Sequence, residues 1–137
     1  MGLDEAARLY ESGYNALQAG DVEQAIKLLE ESLAKETNEE HKAVDRNILG
    51  KAYEKQGRLD DAIRLYEENI NSEFEGDHPY ERLRIIYSKQ KRYDDVVRVL
   101  EQAINVFRDK VYGLRSDRLP KLARFEEELV KVKNRTK

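Results

Sequence analysis

Three stretches of the chain place apolar residues at helical spacing on one face. They are Val22, Ala25, Ile26, Leu29 and Leu33; Leu59, Ala62, Ile63, Tyr66 and Ile70; and Tyr93, Val96, Val97, Leu100 and Ile104. Steps of three and four residues return to the same side of a helix, so each set predicts a stripe packed on a neighbour. A fourth stripe, Leu119, Leu122, Phe125, Leu129 and Val132, runs through an otherwise charged segment. Pro120 is compatible with the first turn of that helix, where a missing N–H is tolerated. The segment VYGLRSDRLP breaks the pattern ahead of it, and the terminal KVKNRTK is expected to fray.

The first three stripes belong to a repeat. Residues 13–33 (GYNALQAGDVEQAIKLLEESL), 50–70 (GKAYEKQGRLDDAIRLYEENI) and 84–104 (RIIYSKQKRYDDVVRVLEQAI) align, with starts 37 and then 34 residues apart. The second and third segments share 9 of 21 positions, among them Tyr53/Tyr87, Arg58/Arg92 and Asp61/Asp95. The first and second share 7, including Gly13/Gly50, Gly20/Gly57, Ala25/Ala62 and Ile26/Ile63. Each unit predicts two antiparallel helices, with the stripe on the second.

The glycines have two different uses. Gly20 and Gly57 stand just before a stripe, where the first helix must stop and a left-handed residue closes it without a Cβ clash. Gly13 and Gly50 lie inside the first helices, where glycine costs about 1 kcal/mol relative to alanine. With Ala25 and Ala62 they predict small surfaces on which two helices approach closely. Asp21, Asp60, Asp61, Asp94 and Asp95 fall near the start of the second helices, where the helix dipole favours negative charge.

An internal Gly, a turn Gly seven residues on, an Ala five after that and a period near 34 together resemble the tetratricopeptide repeat. The resemblance covers about residues 4–108 and divides them into repeats at about 4–38, 41–74 and 77–108, with a final helix at about 116–134. In the third repeat Arg84, Lys91 and Val96 replace the packing Gly, the turn Gly and the Ala. The resemblance implies one all-α domain: a right-handed α-solenoid of three helix pairs and a seventh, capping helix that covers the last apolar face.

The same resemblance implies a binding groove lined by the first helix of each pair. By register its positions are Ala7, Tyr10, Tyr14 and Leu17; Val44, Asn47, Lys51, Glu54 and Lys55; and His78, Glu81, Arg82, Ile85, Ser88 and Lys89. Tyr10 and Tyr14 lie four apart on one helix face, which suits them as anchors for a partner or as cover for the helix edge. Some tetratricopeptide proteins clamp a chaperone's C-terminal carboxylates with a Lys/Asn/Asn/Lys/Arg set. Those positions hold Tyr10, Tyr14, Ile48, His78 and Arg82 here, so only Arg82 matches and that clamp is not expected.

Composition narrows the remaining possibilities. Apolar and charged residues each make up 39% of 137 residues, enough apolar content for a core and consistent with a helical domain. Without cysteine the chain has neither disulfides nor thiolate metal sites. No signal sequence or membrane span is evident, so a cytoplasmic protein without membrane contact is expected. His41 and His78 are separated by most of a repeat, and no metal is expected at either. No catalytic or phosphate-binding motif is present, and the paired aspartates are accounted for by helix starts. A non-enzymatic protein with no cofactor follows as the expectation.

Charge leaves one alternative open. Residues 1–76 carry 18 acidic and 9 basic residues, a net −9, whereas residues 77–137 carry 10 and 16, a net +6. Nucleic acid is disfavoured because Asp94, Asp95 and Glu81 dilute the basic part and Tyr87 and Tyr93 occupy core positions. The reading favoured is an adaptor or scaffold that holds a peptide or partner helix in its groove. The alternative is a homo-oligomer, assembled head to tail by charge or through the capping helix.

Overall fold

The computed structural model describes residues 2–110 and 116–136. Residues 111–115, the first half of the pattern break, lie outside them. Seven α-helices follow in order: α1 (Gly2–Gln18), α2 (Val22–Lys35), α3 (Glu39–Lys55), α4 (Leu59–Asn71), α5 (His78–Lys89), α6 (Tyr93–Asn105) and α7 (Arg118–Arg135). A single π-helical turn, Val106–Lys110, continues α6. The fold is all-α, with no strand among the described residues. Helix α7 runs through Arg135, with Val132 5% exposed; the last residue of KVKNRTK lies outside the described residues. The chain divides into two compact units, residues 1–66 and 67–137, with the boundary inside α4.

In the first unit, close helix approach occurs at the internal glycines. A Cβ on Gly13 would lie 2.7 Å from Leu29 Cγ, and one on Gly50 would lie 2.6 Å from the Tyr66 ring. The two sites occupy equivalent repeat positions, so α1 docks on α2 and α3 on α4 by the same device. Leu29, Ala25, Ala62 and Tyr66 are fully buried. Burying a side chain such as Leu29 is worth about 1.5–3 kcal/mol, more than the propensity cost of the glycine it covers. The turn glycines Gly20 and Gly57 have φ of +88° and +79°. Helices α2 and α3 begin on caps: Asp21 accepts a hydrogen bond from the Gln24 N–H, and Asn38 one from the His41 N–H.

The residues shared by the second and third repeats form a clasp. In the first unit the Arg58 guanidinium lies 4.5 Å from the centre of the Tyr53 ring, and its Nε donates to Asp61 at 2.8 Å. In the second unit Arg92 lies 4.4 Å from the Tyr87 ring and donates to Asp95 at 2.9 Å. Each clasp joins the last turn of one helix, the turn residue and the first turn of the next through cation–π and ionic contacts. The first repeat has Ala16, Asp21 and Gln24 at these positions. There the Asp21 cap takes over the closure.

The second unit tolerates the departures of the third repeat. Lys91 takes the left-handed conformation of the glycine it replaces, with φ of +60°. Val96 is buried, and Arg84 extends from the packing position to Glu81 and Glu128 at 2.8 and 3.4 Å. Helix α7 docks through an aromatic cluster in which Phe125 lies 5.4 Å from Phe107 and 6.2 Å from Tyr80, centre to centre. Asp77 receives Lys121 and Arg124 from α7 at the rim of this contact. The stripe expected on α7 holds at Phe125 and Val132, with Leu122 and Leu129 half-buried. Leu119 is corrected: it is 64% exposed, because it sits in the first turn of α7, short of the packed surface.

Candidate functional site

In the first unit, helix α1 presents Ala7 and Tyr10 toward Val44 on α3. His41, Asp45 and Glu36 complete a cleft of about 270 Å³. On α1 the spacing is three residues, and on α3 His41, Val44 and Asp45 stand at i, i+3 and i+4, so each helix offers one face. Tyr14 extends the tyrosine surface one turn further: its ring centre is 6.2 Å from that of Tyr10, the planes are 27° apart, and 38% of the residue is exposed. Gln18 donates to the Tyr14 hydroxyl at 2.7 Å and fixes its direction.

The floor of the cleft is polar and ordered. Glu36 ends α2, and its Oε2 accepts from the N–H groups of Thr37 and Asn38, while Oε1 lies 3.1 Å from His41 Nδ1. Burial alone would raise the Glu36 pKa, but these backbone donors and His41 hold it below the usual carboxylate value. Asp45 goes the other way. It is 3% exposed, and burial, with the nearby Glu36 charge, raises its pKa although Ser32, His41 and Arg46 oppose the shift. Burial also raises the Tyr10 hydroxyl, followed by the charge of Asp45. Ser32, buried between α1 and α3, lies 2.9 Å from Asp45 Oδ2 and 3.0 Å from the Ala6 carbonyl oxygen.

Of the expected groove residues in this unit, Tyr10 lines the cleft and Tyr14 adjoins it. Leu17 is only 8% exposed and belongs to the core, so it offers no surface; Asn47 is buried as well. Glu54 accepts a hydrogen bond from the Tyr66 hydroxyl at 2.7 Å and so braces the α3–α4 contact. Lys51 and Lys55 are exposed. In the second unit His78 opens α5, Arg82 and Ile85 are half-buried, and Lys89 is exposed. Arg84, Arg92 and Arg98 are ion-paired, to Glu81, Asp95 and Glu67 respectively.

Sequence reasoning missed Glu36, His41 and Asp45. The available signal was Asp45, a carboxylate one step from the apolar positions of α3 in a helix whose neighbouring Ala43 and Leu49 are core. The cleft combines apolar walls with a hydrogen-bonded floor. Among the described residues no cluster of three or more metal-ligating side chains forms, and no helix is long and apolar enough to cross a membrane.

Comparison with known proteins agrees with this architecture. No curated protein matches the sequence significantly. PcrH in complex with the chaperone binding region of PopD is similar in structure, with a TM-score of 0.77, 17% identity, and coverage of 100% of this chain and 97% of that one. PcrH from Pseudomonas aeruginosa gives a TM-score of 0.72 at 17% identity over 95% and 92% of the two chains. The nearly identical TPR-like repeats of the kinesin light chain type from Podosopora anserina give 0.59 at 22% identity over 92% and 70%. At these identities the likeness establishes the fold. The tetratricopeptide repeat family model matches residues 47–76, from the middle of α3 through α4, and 80–110, from α5 through the turn after α6, so these two segments are tetratricopeptide repeats.

Proposed function

We propose that this protein is a non-enzymatic adaptor that holds a segment of a partner polypeptide on the exposed face of α1 and α3. The observation that carries this reading is the stacked Tyr10–Tyr14 pair beside an apolar cleft. Tyrosines combine a large apolar area with a polar tip at little conformational cost, and they are over-represented among the residues that dominate binding energy. PcrH, whose fold this chain shares, has been crystallised with a region of a partner protein, which supports a peptide-holding role here. Lys51 and Lys55 on α3, and Arg82, Ile85 and Lys89 on α5, are proposed as additional contacts.

The test is capture from the native cell by wild-type protein and by a Tyr10→Ala/Tyr14→Ala variant of unchanged helicity. The partner recovered by wild type is expected to be lost with the variant, and a photo-crosslinker at position 14 should label it. Equal recovery by both proteins would refute the assignment.

A further inference from the structure

An occupant of the α1–α3 cleft covers Asp45, and the bonds of that carboxyl decide which protonation state accepts this. Ser32 Oγ is within hydrogen-bond distance of both Asp45 Oδ2, at 2.9 Å, and the Ala6 carbonyl oxygen, at 3.0 Å. A hydroxyl has one hydrogen, and a carbonyl can only accept. Both bonds exist together only when Asp45 carries a proton and donates it to Ser32, which donates onward to Ala6. When Asp45 is ionised, two acceptors compete for one hydrogen, and a charge that is 3% exposed loses what water remains once the cleft is filled.

The chemistry of the cleft selects its occupant. Its volume of about 270 Å³ and its walls of Ala7, Tyr10 and Val44 leave room for a bulky apolar side chain. A cationic head group would find Glu36 already bonded to two backbone N–H groups and His41, and Asp45 Oδ2 bonded to Ser32, which leaves it only Asp45 Oδ1 among apolar walls. An acidic side chain would approach Glu36 in a unit with 14 acidic and 9 basic residues. We propose that an uncharged apolar side chain of the partner enters this cleft and that its binding favours the protonated form of Asp45, so that a proton is taken up wherever the free protein holds Asp45 ionised.

This inference rests on the adaptor reading and adds its regulation. The groups facing Asp45 are Tyr10 from α1, Ser32 from α2, Glu36 after α2, and His41 and Arg46 from α3. Glu36 favours the protonated form, whereas His41 and Arg46 oppose it. By linkage, a ligand that prefers the protonated state raises the affinity of Asp45 for the proton, and acidification raises the affinity for the ligand.

N-acetyl-L-leucinamide, titrated into the full-length protein and followed by amide NMR shifts of Ala7, Tyr10 and Val44, is the probe. Binding is expected to be at least about threefold tighter at about pH 5 than at about pH 7.5, since one linked proton allows up to tenfold per pH unit. The corresponding lysine and aspartate amides should bind more weakly than the leucine amide. Asp45→Asn, whose amide N–H can donate to Ser32, should bind the leucine amide with little pH dependence. Equal wild-type affinity at both pH values, or an unchanged pH dependence in Asp45→Asn, overturns the proposal. Absence of binding at either pH overturns it too, while the tyrosine-variant capture experiment still judges the adaptor reading separately. In the wild type, carboxyl-carbon NMR should show the Asp45 titration moving upward as the leucine amide saturates; an unmoved titration would equally count against proton uptake.

Discussion

A methyl group on Gly50 would press to within 2.6 Å of a tyrosine ring that has no free space behind it, since Tyr66 is fully buried. Gly50→Ala is therefore expected to lower stability by about 1–3 kcal/mol despite alanine's better helix propensity, measured as a fall in the urea midpoint. The opposite exchange applies at Lys91, whose φ of +60° disfavours any residue with a Cβ. Lys91→Gly is expected to raise stability by about 0.5–1 kcal/mol, because relief of the left-handed strain exceeds the added chain entropy of glycine. Two carboxyls set opposite pH slopes. The raised Asp45 pKa means that the folded chain holds a proton the unfolded chain has released, so stability falls as pH rises from the ordinary value of 3.8 through the folded one. Glu36, whose pKa is lowered, contributes stability above the ordinary value of 4.5 that is lost as pH falls through its folded value. Relative to wild type, Asp45→Asn should therefore gain stability as pH rises from about 4, whereas Glu36→Gln should lose it as pH rises up to about 4.5 and stay level above, in urea melts from acid to neutral pH.

At the scale of elements, α7 is held by one aromatic anchor rather than by its whole stripe. Phe125 is fully buried between Phe107 and Tyr80, whereas Leu119 is mostly exposed. Phe125→Ala is expected to cost about 3–5 kcal/mol and Leu119→Ala no more than about 0.5 kcal/mol, compared by thermal unfolding. That contrast also shows what was legible in the sequence. The helices and their pairing were readable because the stripes, repeated three times, and the turn glycines, present twice, are local signals. Leu119 misled because periodicity tells which residues share a face and says nothing of how far the opposing surface reaches. The clasp of Tyr53, Arg58 and Asp61 was visible as shared identities, but its geometry was not. The cleft was half legible: register pointed to Ala7, Tyr10 and Val44. Asp45 and Glu36 acquire their environment only when Ser32 and the end of α2 come between the two first helices. Leu17, given to the groove by the same register, shows the limit of that argument, since its face of α1 turns into the core.

At the scale of the whole molecule, charge and exposed apolar surface decide between an adaptor and a self-assembling protein. Residues 1–66 carry a net −5 and residues 67–137 a net +2, from 14 acidic and 9 basic against 14 acidic and 16 basic residues. Opposite charges of this size attract only weakly, and salt screens them beyond about 8 Å at physiological ionic strength. Several of the cations are already matched within their own unit, as Arg84, Arg92 and Arg98 show. The exposed apolar residues of α7, Leu119 and Val130, are two side chains, whereas a stable interface buries about 1,200–2,000 Å² in total. Neither source reaches what a stable dimer requires, so sedimentation velocity is expected to give a single-chain mass at about 50 mM and at about 500 mM salt. A larger species confined to low salt would assign assembly to the charge asymmetry. One that persists at high salt and disappears in Leu119→Ser/Val130→Ser would place it on α7. A monomer under both conditions leaves the tyrosine face of α1 free to meet a different protein, as the adaptor reading requires.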